Sequence, residues 1–70
     1  MTTQELARTI NATHIAPCVT DSYYAMFVPF TDRYGMKVYR LHYMVFSDGQ
    51  ATLLSTTSTM IALPPEAMPL

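Results

Sequence analysis

Met36-Lys-Val-Tyr-Arg-Leu-His-Tyr-Met-Val-Phe-Ser-Asp-Gly-Gln-Ala-Thr-Leu-Leu-Ser-Thr-Thr-Ser-Thr-Met60 is the stretch that decides the fold. Asp48-Gly49 is its strongest local signal. A two-residue type I′ turn needs positive φ at both central residues, which Gly adopts freely and Asp comparatively well. Aromatic and β-branched residues on both sides are typical of strands. The stretch therefore predicts a hairpin with strands over residues 36–46 and 50–60.

The predicted turn also fixes the register, because successive side chains alternate between the two faces of a sheet. Ser47 faces Gln50, and counting outward from this pair predicts two faces. The first face pairs Val45 with Thr52, Tyr43 with Leu54, Leu41 with Thr56 and Tyr39 with Ser58. The second face pairs Phe46 with Ala51, Met44 with Leu53, His42 with Ser55, Arg40 with Thr57 and Val38 with Thr59.

An earlier strand is predicted over residues 23–30, joined to the hairpin by the loop 31–35. With this five-residue loop, Tyr23, Ala25 and Phe27 share the first face, while Tyr24, Met26, Val28 and Phe30 share the second. A loop one residue shorter would exchange the two sets. Pro29 favours an edge position for this strand, because proline cannot donate to a central ladder. The expected strand order is therefore the chain order.

A helix is predicted over residues 3–14. Thr2 and Glu5 have the spacing of a capping box, and Leu6, Ala7 and Ile10 recur at helical spacing. Pro17 prevents continuation, because its ring clashes with the preceding turn. We expect this helix to pack on the first sheet face, which carries the larger apolar groups.

The predicted fold class is thus α+β, with an N-terminal helix on a three-stranded antiparallel meander in one domain of residues 1–61. Residues 62–70 contain three prolines, which favour an extended tail. Two interpretations of the tail stay open. It either frays or docks Leu63, Met68 and Leu70 on a neighbouring subunit.

One helix cannot cover both faces of a sheet, and a 70-residue core is small. Monomers rarely expose large apolar patches, so we expect the second face to be closed by another copy or another protein. The Thr-rich edge, residues 55–59, is a second candidate contact through strand pairing. The predicted interaction surface comprises Tyr24, Met26, Val38, Arg40, His42, Met44, Phe46, Ser55 and Thr57.

Composition narrows the possible partners. Only 13% of residues are charged and the formal net charge is −1, so the chain lacks an electrostatic footprint for nucleic acid. Cys18 is the only cysteine, which favours a reducing compartment such as the cytoplasm. The sequence shows neither a signal peptide nor an apolar run of about twenty residues, so we predict no membrane partner.

Catalytic and metal-binding patterns are weak. His14, Cys18, Asp21 and His42 are the only plausible metal-ligand set, but zinc needs four converging ligands and Pro17 interrupts this spacing. A Cys18 nucleophile would need a histidine base within hydrogen-bond reach, and no local sequence supports that geometry. We therefore predict no metal, no cofactor and no enzymatic activity.

The leading hypothesis is a non-enzymatic, homodimeric protein-binding module that acts as an inhibitor or adaptor. Low charge with abundant Met and Tyr suits burial against protein. Size alone suggests an analogy with small inhibitors encoded by phages and mobile elements. The alternative is a ligand-binding or enzymatic dimer with a pocket around Arg40, His42, Tyr24 and Cys18. Single-stranded nucleic-acid binding on the exposed aromatic sheet is the third hypothesis.

Overall fold

A computed structural model describes residues 1–18 and 23–70 of the chain. It contains one helix and five strands: α1 Thr3–Ile10, β1 His14–Pro17, β2 Tyr23–Thr31, β3 Lys37–Ser47, β4 Gln50–Ile61 and β5 Met68–Pro69. The strands form one antiparallel sheet in the order β4-β3-β2-β1-β5. The predicted combination of a helix and an antiparallel sheet is present, but the three-stranded meander is wrong because the sheet has five strands.

The capping box at the start of α1 is confirmed. The Glu5 amide donates to the Thr2 hydroxyl at 3.1 Å, and the Thr2 amide donates to the Glu5 carboxylate at 3.0 Å. The predicted end at residue 14 is wrong, because α1 ends at Ile10. Asn11 adopts a left-handed conformation with φ 62°, which asparagine tolerates better than most residues, and the Ala12 amide closes the end by donating to the Ala7 carbonyl at 2.9 Å.

The two additional strands lie on the far side of β2. His14 and Ile15 of β1 pair with β5, and Ala16 pairs with Ala25 of β2. Pro17 therefore ends a strand and does not stop a helix. In this structure the tail binds to its own chain, rather than fraying or docking on a neighbouring subunit. Its last amide, from Leu70, donates to the Thr13 carbonyl at 3.0 Å.

Strand β2 is central, so the prediction that Pro29 marks an edge strand is wrong. The reason lies in the short length of β1, whose pairing with β2 extends only to Phe27. The Phe27 carbonyl accepts the Thr13 amide at 2.9 Å, so the polar backbone atoms of Phe27 point toward β1. Pro29, two residues further on, points the same way at a position where β1 has ended. The missing proline N–H therefore costs no ladder hydrogen bond.

Both predicted connections of the sheet are confirmed in outline. Asp48 and Gly49 have φ values of 54° and 74°, as a type I′ turn requires. The β2–β3 pairing gives the two faces expected from the five-residue loop, because Tyr24 pairs with Met44. The predicted loop bounds are wrong, because Thr31 pairs with Lys37, so that the loop spans residues 32–36 and the pairing is displaced by two residues.

The predicted β3–β4 register is correct only beside the turn. It holds from Ser47 opposite Gln50 to Met44 opposite Leu53, and then shifts twice. The first shift places Tyr43 opposite Ser55, and the second places Arg40 opposite Met60. At the second shift the Thr57 hydroxyl donates to the Thr59 carbonyl at 3.1 Å.

Helix α1 packs on the second sheet face, and the prediction of the first face is wrong. Leu6 and Ala7 contact Met26, Met44 and Ala51, and we name this side the helix face. The link from α1 to β1 is short and brings its own apolar residues to the same side. Ile10, Ala12 and Ile15 all pack against this cluster.

The opposite side is covered by the C-terminal tail, and we name it the tail face. Leu63 and Ala67 pack against a cluster formed by Ala16, Ala25, Phe27 and Tyr39. The expectation that another molecule must close one sheet face rested on a single covering helix. In the structure, the helix and the tail each contribute cover to one face.

Candidate functional site

The helix leaves the end of the helix face near the β2–β3 loop uncovered. We name this region the distal patch, and it consists of Phe30, Val38, Arg40, His42, Thr56 and Met60. Strand alternation brings these side chains together, because Phe30 pairs with Val38, His42 with Thr56 and Arg40 with Met60. The patch combines one permanent positive charge and one imidazole with apolar neighbours.

His42 is held in place within the distal patch. Its Nδ1 atom lies 3.0 Å from the Thr56 hydroxyl oxygen, at hydrogen-bond distance. The pKa of His42 is lowered below its ordinary value of 6.5, mainly by burial and to a smaller extent by the positive charge of Arg40. The neutral imidazole is therefore favoured near neutral pH.

Arg40 lies against an aromatic ring. Its guanidinium carbon is 5.1 Å from the centre of the Phe30 ring, a distance typical of a cation–π contact. Its Nε atom is buried and has no hydrogen-bond partner. This arrangement positions the charged end of Arg40 beside an exposed apolar side chain.

The nine residues of the predicted interaction surface do not form one surface in the structure. Met26 and Met44 are fully buried beneath the helix, and Tyr24 packs beside them. Ser55 lies opposite Tyr43 rather than His42, and Thr57 lies within the second register shift. Of the remaining members, Val38, Arg40 and His42 belong to the distal patch, while Phe46 is exposed near the Asp48-Gly49 turn.

The candidate metal and nucleophile residues are also separated. His14 and Cys18 belong to the tail face, where the His14 ring packs edge-on to Tyr39 with centroids 5.8 Å apart and Cys18 packs against the same cluster. His42 is on the helix face, so the sheet separates it from both. Asp21 lies outside the described residues. Within residues 1–18 and 23–70, no three His, Cys, Asp or Glu side chains are grouped to hold a metal ion.

The residues proposed for a ligand pocket do not share one surface of this chain. Arg40 and His42 lie on the helix face, whereas Cys18 packs on the tail face. No cavity is found in the part of the chain that the structure describes. Among the same residues, no helix combines the length and apolar character needed to cross a bilayer.

The outer edge of β4 is an open surface of the sheet. No strand of the described chain pairs with this side, and only the Ala51 amide is used there, donating to the Met1 carbonyl at 2.7 Å. Leu53, Leu54 and Ile61 are exposed along it. All twelve residues of β4 lack charge, and none is proline. The sequence predicted this edge from its threonines alone.

The second open surface is the end of the β2–β3 hairpin. We name it the hairpin end, and it consists of Phe30, Arg33, Tyr34, Met36, Lys37 and Arg40. Asp32 organises its loop, because one carboxylate oxygen accepts the amides of Tyr34 at 2.8 Å and Met36 at 2.9 Å. Sequence reasoning treated this loop only as a connection. The sequence signal that could have indicated this surface is the combination of three basic residues with a tyrosine and a methionine in and beside the loop.

The chain matches no protein-family model, and comparisons with curated proteins and with solved structures find no similar protein.

Proposed function

We propose that the protein is a small non-enzymatic protein-binding module that forms a homodimer through the outer edge of β4 and acts as an inhibitor or adaptor of another protein. The observation that carries the proposal is the open β4 edge. Unpaired backbone groups of an edge strand are a ready template for pairing with another chain.

A second copy of the chain is the occupant that suits this edge best. Two copies of β4 can pair antiparallel about a twofold axis, in which each edge meets itself. Like charges facing each other across a strand pair destabilise it, and β4 carries none. Burial of the exposed Leu53 and Leu54 side chains would add apolar stabilisation.

The two register shifts in β4 restrict where this pairing occurs. Bulges bend an edge strand and are one means by which proteins limit strand addition. Leu54 lies at the first shift, between the segment that pairs regularly beside the turn and the segment opposite Tyr43. We therefore place the central contact near Leu53 and Leu54, at the end of the regular segment beside the turn, where the exposed side chains are apolar.

The non-enzymatic part of the proposal is supported by the positions of the reactive side chains. His42 lies on the sheet face opposite to Cys18. His14 shares the face of Cys18, but its Nδ1 atom lies 2.8 Å from the Thr13 hydroxyl oxygen and its ring packs edge-on to Tyr39. A module of this kind acts by occupying a surface of its partner. We also propose a cytoplasmic location, which the lone thiol favours.

Light scattering on a sizing column, across a dilution series, tests the proposal. We expect a mass near twice the 7.9 kDa of the chain. Leu54→Lys should yield a monomer, because a lysine on the edge is repelled by its copy and resists strand addition. Met68→Lys is the matched control, since Met68 is 57% exposed and Leu54 is 51% exposed, but Met68 lies on the opposite edge strand.

The control variant should remain a dimer. A wild-type chain that is monomeric throughout the series would contradict the proposal. Dissociation by Met68→Lys together with an intact Leu54→Lys dimer would also contradict it, because the contact would then lie at the β5 edge.

A further inference from the structure

We propose that the hairpin end binds peripherally to lipid bilayers that contain anionic headgroups. This inference rests on other residues than the β4 edge and does not require the homodimer. The sequence predicted no membrane partner because it lacks a spanning segment, whereas a peripheral contact requires only a suitable surface.

The first support is charge. Residues 30–40 contain Arg33, Lys37 and Arg40 but only one acid, Asp32, so this segment has a formal charge of 3 − 1 = +2 in a chain whose net charge is −1. Strand β3 then carries the chain roughly 35 Å away, at the usual rise per residue, to Asp48 at the other turn. The basic side chains are thus concentrated at one end of an elongated molecule.

The second support is exposed apolar surface in the same place. Tyr34 is 75% exposed and Met36 is 65% exposed, and Phe30 is exposed beside them. Each of the two aromatic rings carries a guanidinium: the carbon of Arg33 lies 5.0 Å from the Tyr34 ring, and that of Arg40 lies 5.1 Å from the Phe30 ring. Aromatic rings at the headgroup level with adjacent cations among the phosphates are typical of membrane-interface contacts.

The third support is the organisation of the loop. The Gly35 amide donates to the Asp32 carbonyl at 3.1 Å, and the Asp32 amide donates to the Met36 carbonyl at 2.9 Å. Gly35 has φ 80°, which a residue with a side chain adopts only under strain. These bonds hold Tyr34 and Met36 outward, so little conformational entropy is lost when the loop meets a surface.

The shape of the hairpin end favours a bilayer over a peptide or a nucleic acid. An extended peptide or a single strand needs a groove or an open stacking platform. No cavity is found among the described residues, and each ring of the hairpin end already has a guanidinium over it. A projecting loop can meet a flat surface without any concavity.

Vesicle cosedimentation tests the inference with the full chain. We expect binding to vesicles of phosphatidylcholine mixed with phosphatidylserine, and none to vesicles of phosphatidylcholine alone. Arg33→Ala and Lys37→Ala should each weaken binding about fivefold, the usual contribution of one basic residue near an anionic surface. Arg8→Ala is the matched control, because Arg8 is exposed on α1, away from the hairpin end, and its removal should leave binding unchanged.

A second measurement shows whether the loop enters the interface. The chain has no tryptophan, so Tyr34→Trp introduces a single tryptophan. We expect its emission to shift to the blue when the phosphatidylserine vesicles are added. Met36→Ser should reduce the affinity for these vesicles, because it removes an apolar contact.

Three outcomes would overturn the inference. The first is no binding to the phosphatidylserine vesicles, and the second is an equal loss on Arg8→Ala, which would indicate nonspecific attraction. The third is binding only to a single-stranded oligonucleotide or to polyglutamate, which would assign the hairpin end to a nucleic acid or to an acidic protein. A Leu54→Lys monomer that still binds the vesicles would show that this inference holds independently of the proposed dimer.

Discussion

The Thr56 hydroxyl oxygen lies 3.0 Å from Nδ1 of His42 and joins β4 to β3 on the helix face. The contact follows directly after the first register shift, where Tyr43 faces Ser55 and His42 faces Thr56. A side-chain hydrogen bond there supports the pairing of the two strands in the region where the backbone ladder is irregular.

The surroundings of His42 predict a pH-dependent stability. Burial and the charge of Arg40 lower the pKa of His42 below 6.5 in the folded chain. The unfolded chain therefore binds the proton more readily, so the free energy of unfolding is highest above pH 6.5 and decreases as the pH falls through the lowered pKa. Urea unfolding at several pH values measures this decrease.

The control for this measurement is His42→Asn, which keeps a polar group opposite Thr56 but does not titrate. Its stability should decline less than that of the wild type as the pH falls below neutrality. Parallel declines for the two chains would show that other groups cause the acid sensitivity.

The position of α1 predicts the effect of truncating a methionine beneath it. Met44 is fully buried against the cluster that contains Leu6 and Ala7. Met44→Ala should lower the free energy of unfolding by about 2–5 kcal/mol, because it removes apolar contacts and leaves a cavity. Met36→Ala is the matched control at an exposed site and should change stability by no more than about 0.5 kcal/mol. Similar values for both variants would contradict the assigned helix face.

The tail predicts a second stability effect, on the opposite face. Leu63 is half-buried against the cluster that contains Phe27 and Tyr39. Leu63→Ala should lower the free energy of unfolding by about 1–2 kcal/mol through lost apolar burial. Leu70→Ala, at an exposed terminal side chain, should have little effect. An unchanged melting temperature for Leu63→Ala would indicate that the tail does not stabilise the sheet.

Local signals in the sequence predicted the elements that depend on a few neighbouring residues. Thr2 and Glu5 form a capping box through contacts three residues apart, and Asp48-Gly49 forms its turn through backbone preference alone. The faces that β2 and β3 share followed from the loop length and the two-residue period. These features do not depend on distant parts of the chain.

Distant contacts determine the features that the sequence did not reveal. His14–Pro17 is too short to give a periodic signal, and it becomes a strand because both β2 and β5 pair with it. Helix α1 and the tail pack on opposite faces of the sheet, and composition alone does not reveal which face each one takes. The second register shift in β4 lies within a threonine-rich run, where no apolar alternation fixes the pairing, whereas the first lies at Leu54.

The sequence also predicted only part of the candidate site. Arg40 and His42 do share one face beside β4, and the open edge was anticipated from Ser55 to Thr59. Met26 and Met44 were predicted to belong to the interaction surface, but they are buried because the helix covers them. The hairpin end was not predicted because residues 31–35 were interpreted only as a connection, although Arg33, Lys37 and Arg40 are close together in the sequence.

The most direct test of the central claim, that β4 is a protein-binding edge, is amide hydrogen exchange at low and high protein concentration. We predict that amides of β4 near Leu53 and Leu54 exchange more slowly at high concentration, while those of the β2–β3 loop near Tyr34 do not change. Concentration-independent exchange along β4, or protection that develops at β5 instead, would contradict the claim.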